Sequence, residues 1–238
     1  MNVAYNMDCM VAMKEFPDKF FDLAVVDPPY GGGAKANASE TFNGAVQGRF
    51  GGRFEKYIEA DRTGGTWAAK YGKHINNWDI APPQEYFDEL FRISKDQIIW
   101  GGNYFQLPPT RCFLIWKKLT ISENFTMAMA EYAWTSFNSN AKVFEYQPQD
   151  STCFHPTQKP VALYTWIFKN YAKPGMKIID THLGSGSSRI AAYDAGLDFY
   201  GYEIDKTYFD KQEQRFEKHT QQHNLFIDNQ EEWEQITL

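Results

Sequence analysis

At 238 residues, with 43% hydrophobic and 17% aromatic side chains, the chain is long enough for an α/β domain and too apolar for a disordered segment. No apolar run approaches the roughly 20 residues of a membrane-spanning helix, and the opening MNVAYNMDCM does not read as a signal peptide. A cytoplasmic protein without a membrane partner is expected, and the three scattered cysteines, Cys9, Cys112 and Cys153, suggest neither a disulfide framework nor a metal site.

The formal net charge of −6 weighs mildly against a nucleic-acid partner, but its distribution does not. Between Gly31 and His74 seven Lys or Arg face four Asp or Glu, whereas from Glu203 to Leu238 four basic residues face nine acidic ones. The acidity therefore belongs largely to the C-terminal segment.

In chain order, a short helical stretch around Val11 to Glu15 feeds a buried strand, FFDLAVVD. Residues 31–78 are rich in Gly, Asn and Ala without a sustained period, which reads as a functional insertion or a disordered run. PPQEYFDELFRISKD places Phe87, Leu90, Phe91 and Ser94 on one helical face behind a proline start signal. QIIWGG, FLIWKK and EYAWTSF read as strands, followed by a polar connector. PVALYTWIFKNYAKPG is a helix stopped by Pro-Gly; MKIID is a strand; GSGSSRIAAYDAG is a glycine turn into a helix; FYGYEID is a further strand. A charged final helix spans roughly Lys206 to His223. Strands alternating with helices predict a Rossmann-like α/β fold, a mostly parallel sheet with helices on both faces. No internal repeat or domain boundary interrupts 1–238, so one domain is expected.

Two stretches carry chemistry. In VVDPPY, residues 25–30, a buried strand ends on a carboxylate and two prolines fix the following φ angles, holding an acid, a carbonyl and a ring in one place. In IIDTHLGSGSSRIAAY, residues 178–193, a strand ends in Asp180 and turns through Gly184, Ser185, Gly186 and Ser187 into a helix. The glycines let backbone approach a ligand, and the helix start adds partial positive charge. The turn matches neither the dinucleotide fingerprint nor a P-loop. About 20 residues on, a strand ends in Glu203, the spacing of an acid that binds ribose hydroxyls. The chain thus reads as holding an adenosine-type cofactor without phosphate machinery, which suits S-adenosyl-L-methionine.

Together these stretches resemble the DNA amino-methyltransferases of the β-ordered N6-adenine/N4-cytosine group, in which the catalytic tetrapeptide precedes the cofactor loop. DPPY (27–30) resembles the catalytic motif, DTHLGSGSS from 180 the cofactor loop, HPTQKP (155–160) the segment before it, and MDCM (7–10) the strand end whose acid meets adenine. The resemblance covers most of the chain except 31–78. It implies a methyltransferase-type fold with circularly permuted motif order, S-adenosyl-L-methionine as cofactor, and double-stranded DNA as partner with its target base flipped out. Asp27, Pro28, Pro29 and Tyr30 would be catalytic: Asp27 and the Pro28 carbonyl accept the hydrogens of an exocyclic amine while Tyr30 stacks on the base.

By the same resemblance His155, Lys159 and Thr157 would meet the methionine carboxylate, Glu203 the ribose, Asp8 the cofactor's adenine amine and Asp180 the methionine amine. Asp205, beside Glu203, joins the cofactor set. Asp8 reads equally as a helix N-cap, and GGNYF, 101–105, either lines the cleft or makes a strand-to-helix turn. Thr181 and His182 replace the usual Pro-Phe, so an imidazole stands where an aromatic ring would pack. The usual target-recognition slot holds only 138–154, too short for a domain. The insertion is therefore expected to share DNA contact through Arg49, Arg53, Lys56, Arg62, Lys70 or Lys73, or else to act as a lid without DNA contacts.

N6-adenine is the expected target. Relatives acting on the N4 amine of cytosine more often carry Ser in place of Asp27, and no Pro-Cys pair suggests carbon methylation. The alternatives are N4-cytosine methylation, an RNA substrate and a catalytically silent nucleic-acid-binding subunit of the same fold. Members of the group often pair, so a homodimer is compatible with the resemblance.

Overall fold

The computed structural model describes residues 1–30, 80–121, 128–148, 153–155 and 157–236, with side chains described up to residue 222. The elements run β1 (Asn2–Tyr5), α1 (Cys9–Met13), β2 (Phe21–Val26), α2 (Gln84–Ile93), β3 (Ser94–Trp100), β4 (Phe113–Lys118) and β5 (Ala130–Thr135). They continue with β6 (Lys142–Tyr146), α3 (Val161–Tyr171), β7 (Lys177–Asp180), α4 (Ser187–Asp194), β8 (Asp198–Tyr202) and α5 (Lys206–Ile236).

The strands form one sheet in the order β1-β8-β7-β2-β3-β5-β4-β6. β5 alone runs antiparallel to both of its neighbours, because it returns from β4 as a hairpin arm. The expected mostly parallel sheet is therefore observed.

From Leu23 onward β2 reads as a continuous apolar run because both of its faces are covered. Leu23 and Val25 share a core cluster with Leu163 and Ile167 of α3 and Ala191 of α4. Ala24 and Val26 share the opposite cluster with Met13 of α1 and Tyr86, Phe87, Leu90 and Ile93 of α2.

The sheet departs from the sequence expectation at its margins. Among the described residues β1 pairs only with β8 and β6 only with β4. These edge strands bury little and lack a strong apolar pattern, with Val143 of β6 54% exposed. β6 occupies part of the connector expected to be a recognition slot, leaving less of 138–154 outside the sheet. α1 begins two residues earlier than expected, capped by Asp8, and α5 extends past His223. Ser94 closes no helical face: it starts β3, and its hydroxyl donates to the Leu90 carbonyl at 2.5 Å.

Strand order reverses between β7 and β2: β8 and β1 lie beyond one, β3 beyond the other. In open α/β sheets the crevice at the carboxyl ends of strands flanking such a reversal is where ligands bind. Asp27 directly follows β2 and Asp180 ends β7.

Candidate active site

The DPPY segment leaves β2 into a cavity of about 1000 Å³, which Asp27, Pro28, Pro29 and Tyr30 line together with Gly184, Ser185 and Ser187 of the glycine turn and Glu203. The end of β2 and the serine-glycine bend thus share one cavity because β2 and β7 are adjacent and parallel.

Asp27 is held from both sides. Its Oδ1 accepts the Tyr30 hydroxyl at 2.8 Å, and its Oδ2 accepts from the Lys159 ammonium. Burial pushes the Asp27 carboxyl above the ordinary carboxylate range, while Lys159 and Tyr30 pull against that rise. Burial would discharge Lys159, but Asp27 and Glu131 outweigh it and raise its pKa, so the ammonium stays charged. Each carboxylate oxygen has a second lone pair, so Asp27 can accept another N–H without losing either partner.

Tyr30 stacks on Tyr104 with centroids 4.7 Å apart and planes 20° from parallel. Behind it Gly101 is left-handed, φ +66°, and a β-carbon there would lie 2.0 Å from the Tyr30 ring. Gly101, Asn103 and Tyr104 line the cavity, so GGNYF does both things expected of it: it turns the chain and walls the cleft.

On the other side of the cavity, Gly184 is also left-handed, φ +52°, and its N–H donates to Glu203 Oε2 at 2.8 Å. The Asp205 N–H donates to Glu203 Oε1 at 2.8 Å. Burial raises the Glu203 carboxyl and these backbone donors oppose the rise. Asp205 itself accepts the N–H groups of Thr207 and Tyr208 at the start of α5. Asp180, 2% exposed, accepts the Ser188 hydroxyl at 2.5 Å and the His182 N–H at 3.1 Å. Burial pushes its carboxyl up to about 7 against those two donors. The Ser185 and Ser187 hydroxyls lie 3.1 Å apart, and Arg215 donates to Ser187 Oγ and to the Ser185 carbonyl.

Asp8 caps α1 by accepting the Met10 N–H at 2.8 Å, as its N-cap reading expects, and it also lines the cavity. His155, Thr157 and Lys159 line the cavity as well. Burial pushes His155 down to about 3, so its imidazole is neutral and offers any carboxylate a hydrogen bond rather than a charge. Its Nδ1 accepts the Thr157 N–H at 3.4 Å, and its ring packs edge-on against Tyr208. The Lys159 ammonium lies between Asp27 and Glu131, at 3.1 Å from the latter.

The departure at Thr181 and His182 is compensated locally. The Thr181 hydroxyl lies 2.6 Å from the Tyr86 hydroxyl and 3.0 Å from His182 Nδ1, and the His182 ring packs edge-on against Tyr86. Burial holds His182 down at about 4, so it serves as a neutral ring.

Sequence reading missed Lys118 and Glu131, which lie at the cavity wall and form an ion pair at 2.6 Å. The only trace was charged residues ending or opening otherwise apolar strands, in FLIWKK and EYAW, which ordinary solvated ends share. Arg49, Arg53, Lys56, Arg62, Lys70 and Lys73 lie outside the described residues, as does Pro156. Among the described residues no helix is long and apolar enough to cross a membrane.

The sheet order and the cleft at its strand reversal define a methyltransferase-type α/β domain. The model of the DNA methylase family, the N6/N4 methyltransferases, matches residues 67–215, and the chain belongs to that family. It is 24% identical to the type II methyltransferase M.HinfI of Haemophilus influenzae, over 90% of this chain and 68% of that protein. Among solved structures it resembles the M1.HpyAVI–SAM complex, with a TM-score of 0.53 at 17% identity over 90% of this chain and 98% of the other. It also resembles the cytosine-N4-specific PvuII DNA methyltransferase, with a TM-score of 0.57 at 12% identity over 94% and 92% of the two chains. Both likenesses concern the fold.

Proposed function

We propose that the protein transfers a methyl group from S-adenosyl-L-methionine to the N6 amine of an adenine rotated out of double-stranded DNA. The observation that carries this reading is the single cavity joining Asp27 and Pro28 to the Gly184–Ser187 turn and Glu203.

The donor set fits the cofactor. Asp8 and Glu203 line the cleft, and Asp180 is buried beside the glycine turn on the Ser188 hydroxyl and the His182 N–H, an acidic set suited to a nucleoside with an ammonium and a sulfonium. Glu203 would hold the ribose hydroxyls, Asp180 the methionine amine, Asp8 the adenine amine, and neutral His155 with Thr157 the methionine carboxylate. When bound, the cofactor supplies a methyl group on a positively charged sulfur.

An adenine N6 amine is a poor nucleophile because its lone pair is delocalised into the ring. Asp27 and the Pro28 carbonyl would accept its two hydrogens, drawing the nitrogen toward tetrahedral geometry and stabilising the charge that develops on it. Tyr30, paired with Tyr104, would form the aromatic wall that meets the flipped base, and its hydroxyl keeps Asp27 oriented. An acceptor-only carboxylate at position 27 supports the adenine reading, since the cytosine-acting relatives of the resemblance more often carry serine there. The basic residues of 31–78, Arg49 and Arg53 first, would contact phosphates.

Nucleoside mass spectrometry of DNA incubated with the protein and methyl-labelled cofactor tests the reading. N6-methyl-2′-deoxyadenosine is expected from the wild type and none from Asp27→Asn. Label on cytosine N4 would replace the target base, and label on neither base would overturn the enzyme reading in favour of a silent binding subunit.

A further inference from the structure

Behind Asp27 runs a row of four side chains of alternating charge drawn from four parts of the fold. Asp27 follows β2, Lys159 precedes α3, Glu131 lies on β5 and Lys118 ends β4. Lys159 contacts Asp27 Oδ2 and lies 3.1 Å from Glu131 Oε2, while Lys118 lies 2.6 Å from Glu131 Oε1. The strand register places Trp116 opposite Glu131, so Lys118, two residues on along the same face, is its diagonal neighbour. The Lys159 and Lys118 side chains are 3% and 7% exposed. Aromatic walls enclose both ammonium groups, Trp100 at 5.2 Å from Lys159 and Trp116 at 5.1 Å from Lys118.

Buried charges are tolerated when they are paired, and this row pairs two acids with two lysines. Without Lys118, Glu131 and Asp27 would compete for the single Lys159 ammonium. With Lys118 present, Glu131 has a cation of its own. We infer that Lys118 and Glu131 are positioning residues that reserve Lys159 for Asp27, fixing the orientation and the ionised form of the carboxylate that receives the hydrogens of the base amine. This rests on the reading of Asp27 given above.

The electrostatics agree with the geometry: burial pushes the Glu131 carboxyl up, yet Lys159 and Lys118 outweigh it and bring it to about 2. The other groups facing Asp27 are Tyr30 on its own segment, Asp180 at the end of β7, Tyr86 on α2 and Tyr164 on α3. None of these contributes a cation, so Lys159 is the positive partner that the row controls among the described residues.

The test needs neither DNA nor cofactor. The full chain, labelled with 13C at aspartate carboxyl carbons, is titrated by NMR, with Asp27→Asn supplying the assignment. In Lys118→Met the Asp27 midpoint should rise by about 1 pH unit as Glu131 draws Lys159 away, and Lys118→Arg should restore it. In Glu131→Gln, where the competing acid is gone and the amide keeps the hydrogen-bonding shape, the midpoint should fall. A wholly structural role would lower the melting temperature and leave the midpoint unmoved. An unmoved midpoint in whichever of the two variants folds overturns the inference. If the midpoints of the variants move as stated while the wild type methylates no base, the row stands and the reading of Asp27 as catalytic falls, so the two failures are distinct.

Discussion

Tyr30 donates its hydroxyl to Asp27 at 2.8 Å while its ring lies flat against Tyr104, so one side chain orients the acid and belongs to an aromatic pair that lines the cavity. These two roles separate in mutants. Tyr30→Phe removes the bond to a charged acceptor, worth about 1.5–3 kcal/mol, and should slow single-turnover methyl transfer roughly 10- to 100-fold. DNA affinity in that variant should stay within about twofold of wild type, since the ring remains. Tyr30→Ala should lose the transfer and also weaken binding to DNA carrying a mismatched target base. Equal loss of DNA affinity in both variants would remove the stacking role.

Asp180 titrates near neutrality because burial raises its carboxyl to about 7 from an ordinary value of 3.8. A raised carboxyl binds its proton more tightly in the folded state, so the folded protein holds the extra proton between about pH 4 and 7. Stability of the ligand-free protein therefore falls as pH rises through that window, and the penalty is complete above it. Burial also raises Asp27 and Glu203, which add slope of the same sign. A cofactor ammonium would favour the ionised form. Affinity for S-adenosyl-L-methionine should then climb with pH up to about 7 and level off, with a proton released on binding below it. Calorimetry in buffers of different ionisation enthalpy measures that proton, and Asp180→Asn should abolish its release.

Gly101 admits no side chain. Its φ of +66° is strained for any residue with a β-carbon, and that carbon would overlap the Tyr30 ring at 2.0 Å. Gly101→Ala should lower stability by about 1–3 kcal/mol from backbone strain. It should lower methyl transfer further, by displacing Tyr30 and with it the bond to Asp27. Thermal unfolding and transfer rate check the two effects separately. A normal rate in Gly101→Ala would mean that the Tyr30 position tolerates displacement.

Arg49 and Arg53 carry the proposed phosphate contacts. Replacing both with Glu should weaken DNA binding and make its logarithm fall less steeply with the logarithm of salt, by roughly one unit of slope for each phosphate no longer neutralised. Fluorescence anisotropy over a salt series reads both quantities. Unchanged affinity and slope would leave the insertion without a DNA role.

Some pieces of this protein are written plainly in the chain because local physics suffices for them. β2 had to be an interior strand because LAVV, after Asp22, is apolar on both alternating faces; Leu23 and Val25 indeed meet one helical layer, while Ala24 and Val26 meet the other. Gly184 and Gly186 announced the turn because only glycine adopts their left-handed φ freely. The two edge strands were harder to read, since β1 and β6 bury little and their apolar pattern is weak.

Other pieces came only with the packed molecule. Long-range packing laid β2 and β7 side by side, which brings Asp27 and Gly184 of the turn after β7 to one crevice from positions 157 residues apart in sequence. It also put Lys159 on Asp27, with Lys118 and Glu131 behind it. A charge next to an apolar strand looks the same in sequence whether water or another buried charge will neutralise it. Which of these happens depends on the side chains that distant segments bring within a few ångströms.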